Sequence, residues 1–170
     1  MVNKWYHQIG FFILLFILQV WIFNKIHLFR VATPLFYIYF IIKLPSNMNR
    51  NLVLLLAFLT GLSIDFFNFT LGLHALASTV AGFARYYSFN LFSQRDLPER
   101  YIPSIRTLGF SFFVRYAGFI LLIHEFIFFL AESFSLFDPL IILIRIISSF
   151  VLTMVLVLAF DSFHFDFSRK

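Results

Sequence analysis

The chain has 170 residues, of which 61% are hydrophobic and 12% are charged, and its formal net charge is +5. Soluble domains contain roughly 45–50% apolar and about 25% charged residues, and they keep much of their surface in water. The composition therefore excludes a soluble globule, a disordered chain, a coiled coil and a collagen-like fibre, and it indicates a helical membrane protein. The absence of cysteine excludes disulfides, thiolate metal sites and a cysteine nucleophile.

Six apolar stretches follow one another along the chain and predict membrane-spanning helices. A helix needs about 20 apolar residues to cross the hydrocarbon core, with roughly 17–25 tolerated. The predicted spans are residues 7–23, 29–42, 52–67, 71–89, 108–130 and 139–160. We therefore expect an all-α, polytopic six-helix bundle that forms a single integral membrane domain over residues 1–170.

The second span is the shortest, because its charge-free part runs only from Val31 to Ile42 and contains Pro34. A helix of that length reaches about 18 Å at about 1.5 Å per residue, which is less than a hydrocarbon core of about 30 Å. A re-entrant segment is one alternative, and extension back to Ile26 would permit a full crossing with Arg30 near the interface. Without a crossing, every later loop changes side and the charge distribution reverses, so we expect six crossings.

Basic residues are distributed unevenly between the loops of this topology. With the amino terminus in the cytoplasm, the outer loops contain only Lys25 and Arg30. The cytoplasmic segments contain Lys4, Lys43, Arg50, Arg85, Arg95, Arg100, Arg106, Arg169 and Lys170. This asymmetry follows the positive-inside rule, so we expect both termini in the cytoplasm. Topology then accounts for the positive charge, and no separate basic domain indicates nucleic-acid binding.

Four ionisable residues fall inside predicted spans, namely Arg115, His124, Glu125 and Arg145. Each such group costs about 2.5–3.5 kcal/mol on insertion scales and usually faces the protein interior. The turn between the last two spans centres near Ser135, which places Glu125 level with Arg145. We predict an intramembrane ion pair between them that either fixes helix docking or belongs to a proton or substrate relay through His124 and Glu125. The second histidine of the zincin motif His-Glu-x-x-His is missing, so no metal site is expected.

Residues 60–75 are richer in small and polar side chains than the rest of the chain. Gly61 permits a neighbouring helix to approach closely, and Thr70 can cap the start of the fourth span. Asp65 and His74 lie at matching depth on either side of the turn, so we predict a hydrogen bond or ion pair between them. This contact closes the hairpin, or it contributes to a partner-binding site or to catalysis.

The order of these motifs along the chain carries a family resemblance. The motifs are Pro34 in the second span, Leu44-Pro45 before a polar turn, Gly61-Leu62-Ser63-Ile64-Asp65-Phe66-Phe67, Leu71-Gly72-Leu73-His74-Ala75, and Arg85 closing the fourth span. The chain resembles, over essentially its whole length, the rod-shape-determining membrane protein family MreD in its Bacteroidetes-like form. The family positions carried over are Pro34, Gly61, Asp65, Gly72, His74 and Arg85, and the resemblance implies that they act in packing or in binding a partner.

The resemblance also implies a function. MreD-like proteins are small inner-membrane proteins that associate with the bitopic protein MreC, and through it with the actin-like MreB, RodA and a penicillin-binding protein. Their bundle is similar to the substrate-binding component of energy-coupling-factor transporters, and no enzymatic activity or cofactor is attributed to them. We therefore expect a non-catalytic scaffold for peptidoglycan synthesis and rod shape. A small-molecule-binding subunit of a membrane transporter is the alternative.

Overall fold

The computed structural model describes residues 3–23, 32–70, 72–92, 100–133 and 138–163, and these residues form an all-helical fold. The α-helices are α1 Asn3–Trp21, α2 Tyr39–Ile42, α3 Arg50–Asn68, α4 Leu73–Phe92, α5 Ile105–Leu108, α6 Phe110–Glu132 and α7 Pro139–Phe163. A 3₁₀ turn, Phe36–Ile38, leads directly into α2.

Three of the described helices, α3, α6 and α7, are long and apolar enough to cross a membrane. A shorter apolar stretch, Gly10–Trp21, makes up most of α1. The all-helical membrane class that the composition predicts is therefore supported. Predicted spans 7–23, 52–67, 71–89, 108–130 and 139–160 correspond, as helices, to α1, α3, α4, α6 and α7, with shifts of a few residues at their ends.

The second predicted span, residues 29–42, is wrong as a continuous helix in the part that the structure describes. Residues 32–35 have no helical structure, and the 3₁₀ turn and the four residues of α2 follow them. Pro34 explains the break, because it has no N–H to donate and it disfavours the helical conformation of the residue before it. Residues 24–31 lie outside the described part of the chain.

Residues 32–45, which we call the core segment, lie inside the bundle rather than along its surface. Every side chain from residue 34 to residue 42 is buried. Phe36 stacks on Tyr39 and contacts Phe160 of α7, while Phe40 contacts Phe12 of α1. Around this segment, α3 packs on α4, α4 on α6, and α6 on α7. Since lipid is as apolar as these side chains, their contacts hold the bundle together through van der Waals packing.

α3 and α4 approach each other closely at Gly61. A Cβ atom at this position would collide with backbone atoms of His74 and Ala75 and with the hydroxyl of Ser78. The hydroxyl of Ser78 donates a hydrogen bond of 2.7 Å to the carbonyl of Ala57 across the same contact. The prediction that Gly61 permits close helix approach is therefore confirmed.

Candidate functional site

The backbone of the core segment is hydrogen-bonded to side chains of the surrounding helices. Gln19 of α1 makes two of these bonds: its Nε2 donates to the Pro34 carbonyl at 3.0 Å, and its Oε1 accepts from the Tyr37 N–H at 3.1 Å. Non-helical backbone inside a membrane protein requires such partners, because each unpaired polar group costs several kcal/mol away from water. Pro34 thus creates a break that Gln19 stabilises.

Helix α7 supplies two further acceptors for the same backbone. The Thr33 N–H donates to Ser149 Oγ at 3.0 Å, and the Leu35 N–H donates to Thr153 Oγ1 at 3.2 Å. Ser149 and Thr153 lie one helical turn apart, and both are fully buried. The extended start of the core segment therefore binds a pair of hydroxyl groups on one face of α7.

Arg85 of α4 binds the end of the core segment. Its guanidinium donates to the carbonyls of Leu44 and Pro45, the latter at 3.0 Å, and stands 4.8 Å from the ring centre of Phe89. The side chain is buried, although the charge distribution placed Arg85 among the cytoplasmic basic residues. Tyr116 adds a third donor nearby, from its hydroxyl to the Ile42 carbonyl at 3.1 Å. Arg85 and Tyr116 therefore hold the end of the core segment through its backbone carbonyls.

Asp65 joins α3 to the start of α4. Its carboxylate accepts the N–H of His74 at 3.1 Å, the N–H of Ala75 at 2.8 Å, and the hydroxyl of Thr70. The predicted contact between Asp65 and His74 is present, but it uses the backbone of His74 instead of its imidazole. The prediction that Thr70 caps the start of α4 is wrong. Asp65 is the capping residue, and the Thr70 hydroxyl donates a hydrogen bond to its carboxylate. A carboxylate is favourable at this end of a helix dipole.

Two of the described residues in the turn between α3 and α4 have left-handed backbone. Phe69 has φ 55° and Gly72 has φ 81°. Glycine tolerates this conformation without steric cost, whereas a side chain at residue 72 would be strained. Gly72 also donates its N–H to the Thr70 carbonyl at 3.0 Å and accepts the Leu76 N–H at 2.9 Å. Its role in the described structure is thus conformational.

The imidazole of His74 belongs to a buried chain of polar side chains. Its Nδ1 lies 3.2 Å from the hydroxyl of Tyr37, which lies 2.7 Å from Nε2 of His124. Its Nε2 lies 3.3 Å from the amide nitrogen of Asn68. One assignment of protons satisfies all three contacts: Asn68 donates to His74, His74 to Tyr37, and Tyr37 to His124. The sequence did not link these residues, because Tyr37, His74 and His124 belong to three different predicted spans.

Glu125 and Arg145 do not form the predicted ion pair. Arg145 contacts Glu132 at 2.8 Å, at the end of α6, and Glu125 accepts the Thr153 hydroxyl at 3.1 Å. The two residues were expected at the same depth, but a helical side chain leans towards the helix amino terminus. Arg145 therefore extends towards the start of α7, where its partner Glu132 is partly exposed, and it leaves Glu125 inside.

Asp161, which the sequence analysis did not identify, organises the opposite end of the bundle. Its carboxylate binds Lys43 Nζ at 2.7 Å, the Tyr39 hydroxyl at 2.8 Å and the Ile105 N–H at 2.7 Å. The sequence feature that could have pointed to Asp161 is its position as a single carboxylate directly after the last predicted span, residues 139–160.

Arg115 differs from the expectation that ionisable groups in spans face the interior. It is exposed on α6, and its guanidinium donates to Ser111 at 2.8 Å, one turn closer to the start of the helix. Long basic side chains near helix ends can extend towards the membrane interface, which allows an exposed position.

An apolar groove of about 640 Å³ runs between α1 and α3 on the outside of the bundle. It is lined by Phe12, Ile13, Phe16, Ile17, Leu59, Leu62, Ser63, Phe66 and Phe67. Most of these side chains are exposed, and Ser63 is the single polar residue among them. Among the residues that the structure describes, no three histidine, aspartate or glutamate side chains meet as a metal ion would require.

The fold and the polar contacts define a class: an all-helical membrane protein whose long helices enclose a core segment that is helical only over residues 36–42. Comparison with protein-family models, with curated proteins and with solved structures gives no match to this chain. The family resemblance therefore rests on the motifs quoted above.

Proposed function

We propose that this chain is a non-catalytic scaffold of the bacterial cell-elongation machinery that binds an MreC-like partner in the inner membrane. Through that partner it would associate with MreB, RodA and a penicillin-binding protein. The supporting observation is how three of the family positions are used. Gly61 permits helix contact, Asp65 caps α4, and Arg85 binds backbone carbonyls. Side chains engaged in this way favour a structural role over catalysis.

We further propose that the chain crosses the membrane six times with both termini in the cytoplasm. Contacts along α7 support a second crossing that includes the core segment. Thr33 binds Ser149, and Lys43 binds Asp161, so the core segment runs in the same direction as the second half of α7. Reporter enzymes fused to each terminus test this, and activity of the two fusions on opposite sides would contradict it.

The groove between α1 and α3 is the surface that we assign to the partner's single membrane helix. It is apolar, and Phe66 is 76% exposed there. Helices associate in lipid through van der Waals packing, which side chains standing on either side of a groove provide. The partner's helix is preferred because the resemblance implies a bitopic partner, which carries one such helix.

Photo-crosslinking in intact cells tests both parts of this proposal. A crosslinking amino acid at Ile13 or Leu62, in the groove, should capture an MreC-like protein. The same amino acid at Leu143 or Ile147, on the exposed face of α7, is the matched control and should capture much less. Failure to co-purify such a partner after mild detergent extraction, together with equal crosslinking from both faces, would contradict the proposal.

The transporter alternative predicts a deep polar cavity near Glu125 and Arg145. These two residues lie in separate contacts, and the groove on the outside is apolar. An intramembrane enzyme acting through Asp65 and His74 is likewise not favoured, because the Asp65 carboxylate is occupied by backbone amides. No specific observation therefore supports either alternative over the scaffold.

A further inference from the structure

Glu125 is an acid in the middle of the bundle without a basic partner in the described part of the chain. Its side chain is fully buried on α6, a helix long and apolar enough to span a membrane. Oε1 accepts one neutral hydrogen bond, from Thr153, and Oε2 has no partner among the described residues. Ionisable groups at such positions are expensive, and they are functional-site candidates for that reason.

The titratable groups that face this region are all engaged by other partners. His124 on the same helix and His74 on α4 both bind Tyr37 of the core segment. Arg145 of α7 is engaged by Glu132. On α3, the carboxylate of Asp65 is bound by the backbone amides of α4. Glu125 therefore has no neighbouring cation that would offset a negative charge.

The hydrogen bonds of Glu125 lead to the backbone of the core segment. Thr153 donates to Glu125 and accepts the Leu35 N–H, so a single hydroxyl links the acid to the non-helical part of that segment. A carboxylate in this place would lack a counter-ion and most of its hydrogen bonds, which is strongly unfavourable away from water. A neutral carboxylic acid fits the same place at far lower cost.

We propose that Glu125 is a proton-binding site, and that its bound proton keeps the core segment docked on α7. In the docked state Glu125 is a carboxylic acid. When it releases the proton to water it becomes a carboxylate, and the core segment moves away so that water can solvate the charge. Because the docked state binds the extra proton, docking is complete at low pH and is lost as pH rises. This inference does not depend on the identity of any partner.

Infrared spectroscopy of the protein in lipid vesicles tests the protonation of Glu125 directly. A carboxylic acid has a carbonyl stretching band separate from the amide and carboxylate bands. At neutral pH we expect this band in the intact chain and in the E132Q variant, since Glu132 is paired with Arg145. We expect its loss in the E125Q variant. A spectrum of E125Q that keeps the whole band would overturn the proposal.

Thiol labelling tests the link between the proton and the core segment. The chain has no cysteine, so Ala32→Cys gives a single buried reporter at the start of the segment, and Ala81→Cys gives a buried control in α4. Labelling of A32C by N-ethylmaleimide should rise about tenfold per pH unit relative to A32C combined with E125Q. A81C should show no such difference, which separates undocking from unfolding of the whole bundle.

Each other outcome also decides the question. If A32C reacts at the same rate with and without E125Q at every pH, the proton does not control docking and the proposal fails. If E125Q does not fold, Glu125→Met supplies a second side chain of similar volume that cannot ionise. If neither variant folds, the intact chain decides, because an absent carboxylic-acid band at neutral pH contradicts the proposal.

Discussion

The α3–α4 turn, at the surface, and the core segment, inside the bundle, both interrupt the helices, but side chains bind their backbone groups in different ways. In the turn, Asp65 binds the N–H groups of His74 and Ala75, which are nine and ten residues further along the chain. In the core segment, Leu35 binds Thr153, which is 118 residues away. The turn is therefore a local structure, whereas the core segment depends on several helices having packed first. Unpaired groups are costly in both places, so each is held by dedicated side chains.

Loss of Asp65 should have the largest effect, because the local turn depends on one carboxylate. We expect Asp65→Ala to lower the free energy of unfolding by about 3 kcal/mol, through the lost cap and the buried amides it leaves unpaired. Titration with a denaturing detergent measures this loss. Ser63→Ala, on the same helix, removes only a hydroxyl bonded to Leu59 and should change stability by less than about 0.5 kcal/mol. Equal losses in both variants would show that Asp65 has no special role.

Replacement of Gln19 should weaken the core segment and leave the turn intact. We expect Gln19→Leu to cost about 2 kcal/mol, since two buried hydrogen bonds are lost. Amide hydrogen exchange should become faster at Tyr37 and remain unchanged at His74. Asp65→Ala should give the reverse pattern. Faster exchange at both amides in either variant would mean that the two regions unfold as one unit.

Gly61 tests how tightly the local hairpin is packed. Gly61→Ala should cost about 1–3 kcal/mol, because its methyl group would meet the backbone of α4. Gly118→Ala is the matched control, since the nearest atom to its Cβ, at 3.8 Å, belongs to the Phe150 ring. A gain of about 0.5–1 kcal/mol is expected there from the better helix propensity of alanine. Unfolding titrations of both variants compare the two sites, and a stabilising Gly61→Ala would contradict the close approach.

The smallest effect should come from the pair between Arg145 and Glu132 at the α6–α7 turn. Both side chains are about one-third exposed, so a double-mutant cycle with Arg145→Gln and Glu132→Gln should give a coupling below about 1 kcal/mol. A parallel cycle with Glu125→Gln should give no coupling to Arg145. Measurable coupling in that second cycle would restore the ion pair that the sequence predicted.

The parts of the site that could be predicted from the sequence are the local ones. Counting residues on either side of a tight turn placed Asp65 beside the start of α4, and the small side chain of Gly61 indicated helix contact. The same counting gave the wrong partner for Arg145, because the direction in which its long side chain extends decides the contact. Asp161 was missed because its partners, Tyr39 and Ile105, are distant in the sequence.

By itself, the sequence determined the membrane class and the positions of the long helices. Both follow from apolar composition and from the length that a bilayer demands, which are properties of contiguous residues. The tertiary structure alone decided what the second predicted span became. A proline made a continuous helix unfavourable there, but only the hydroxyl, amide and guanidinium groups of four other helices could stabilise the broken backbone inside the bundle. Such partners come together only when distant parts of the chain pack.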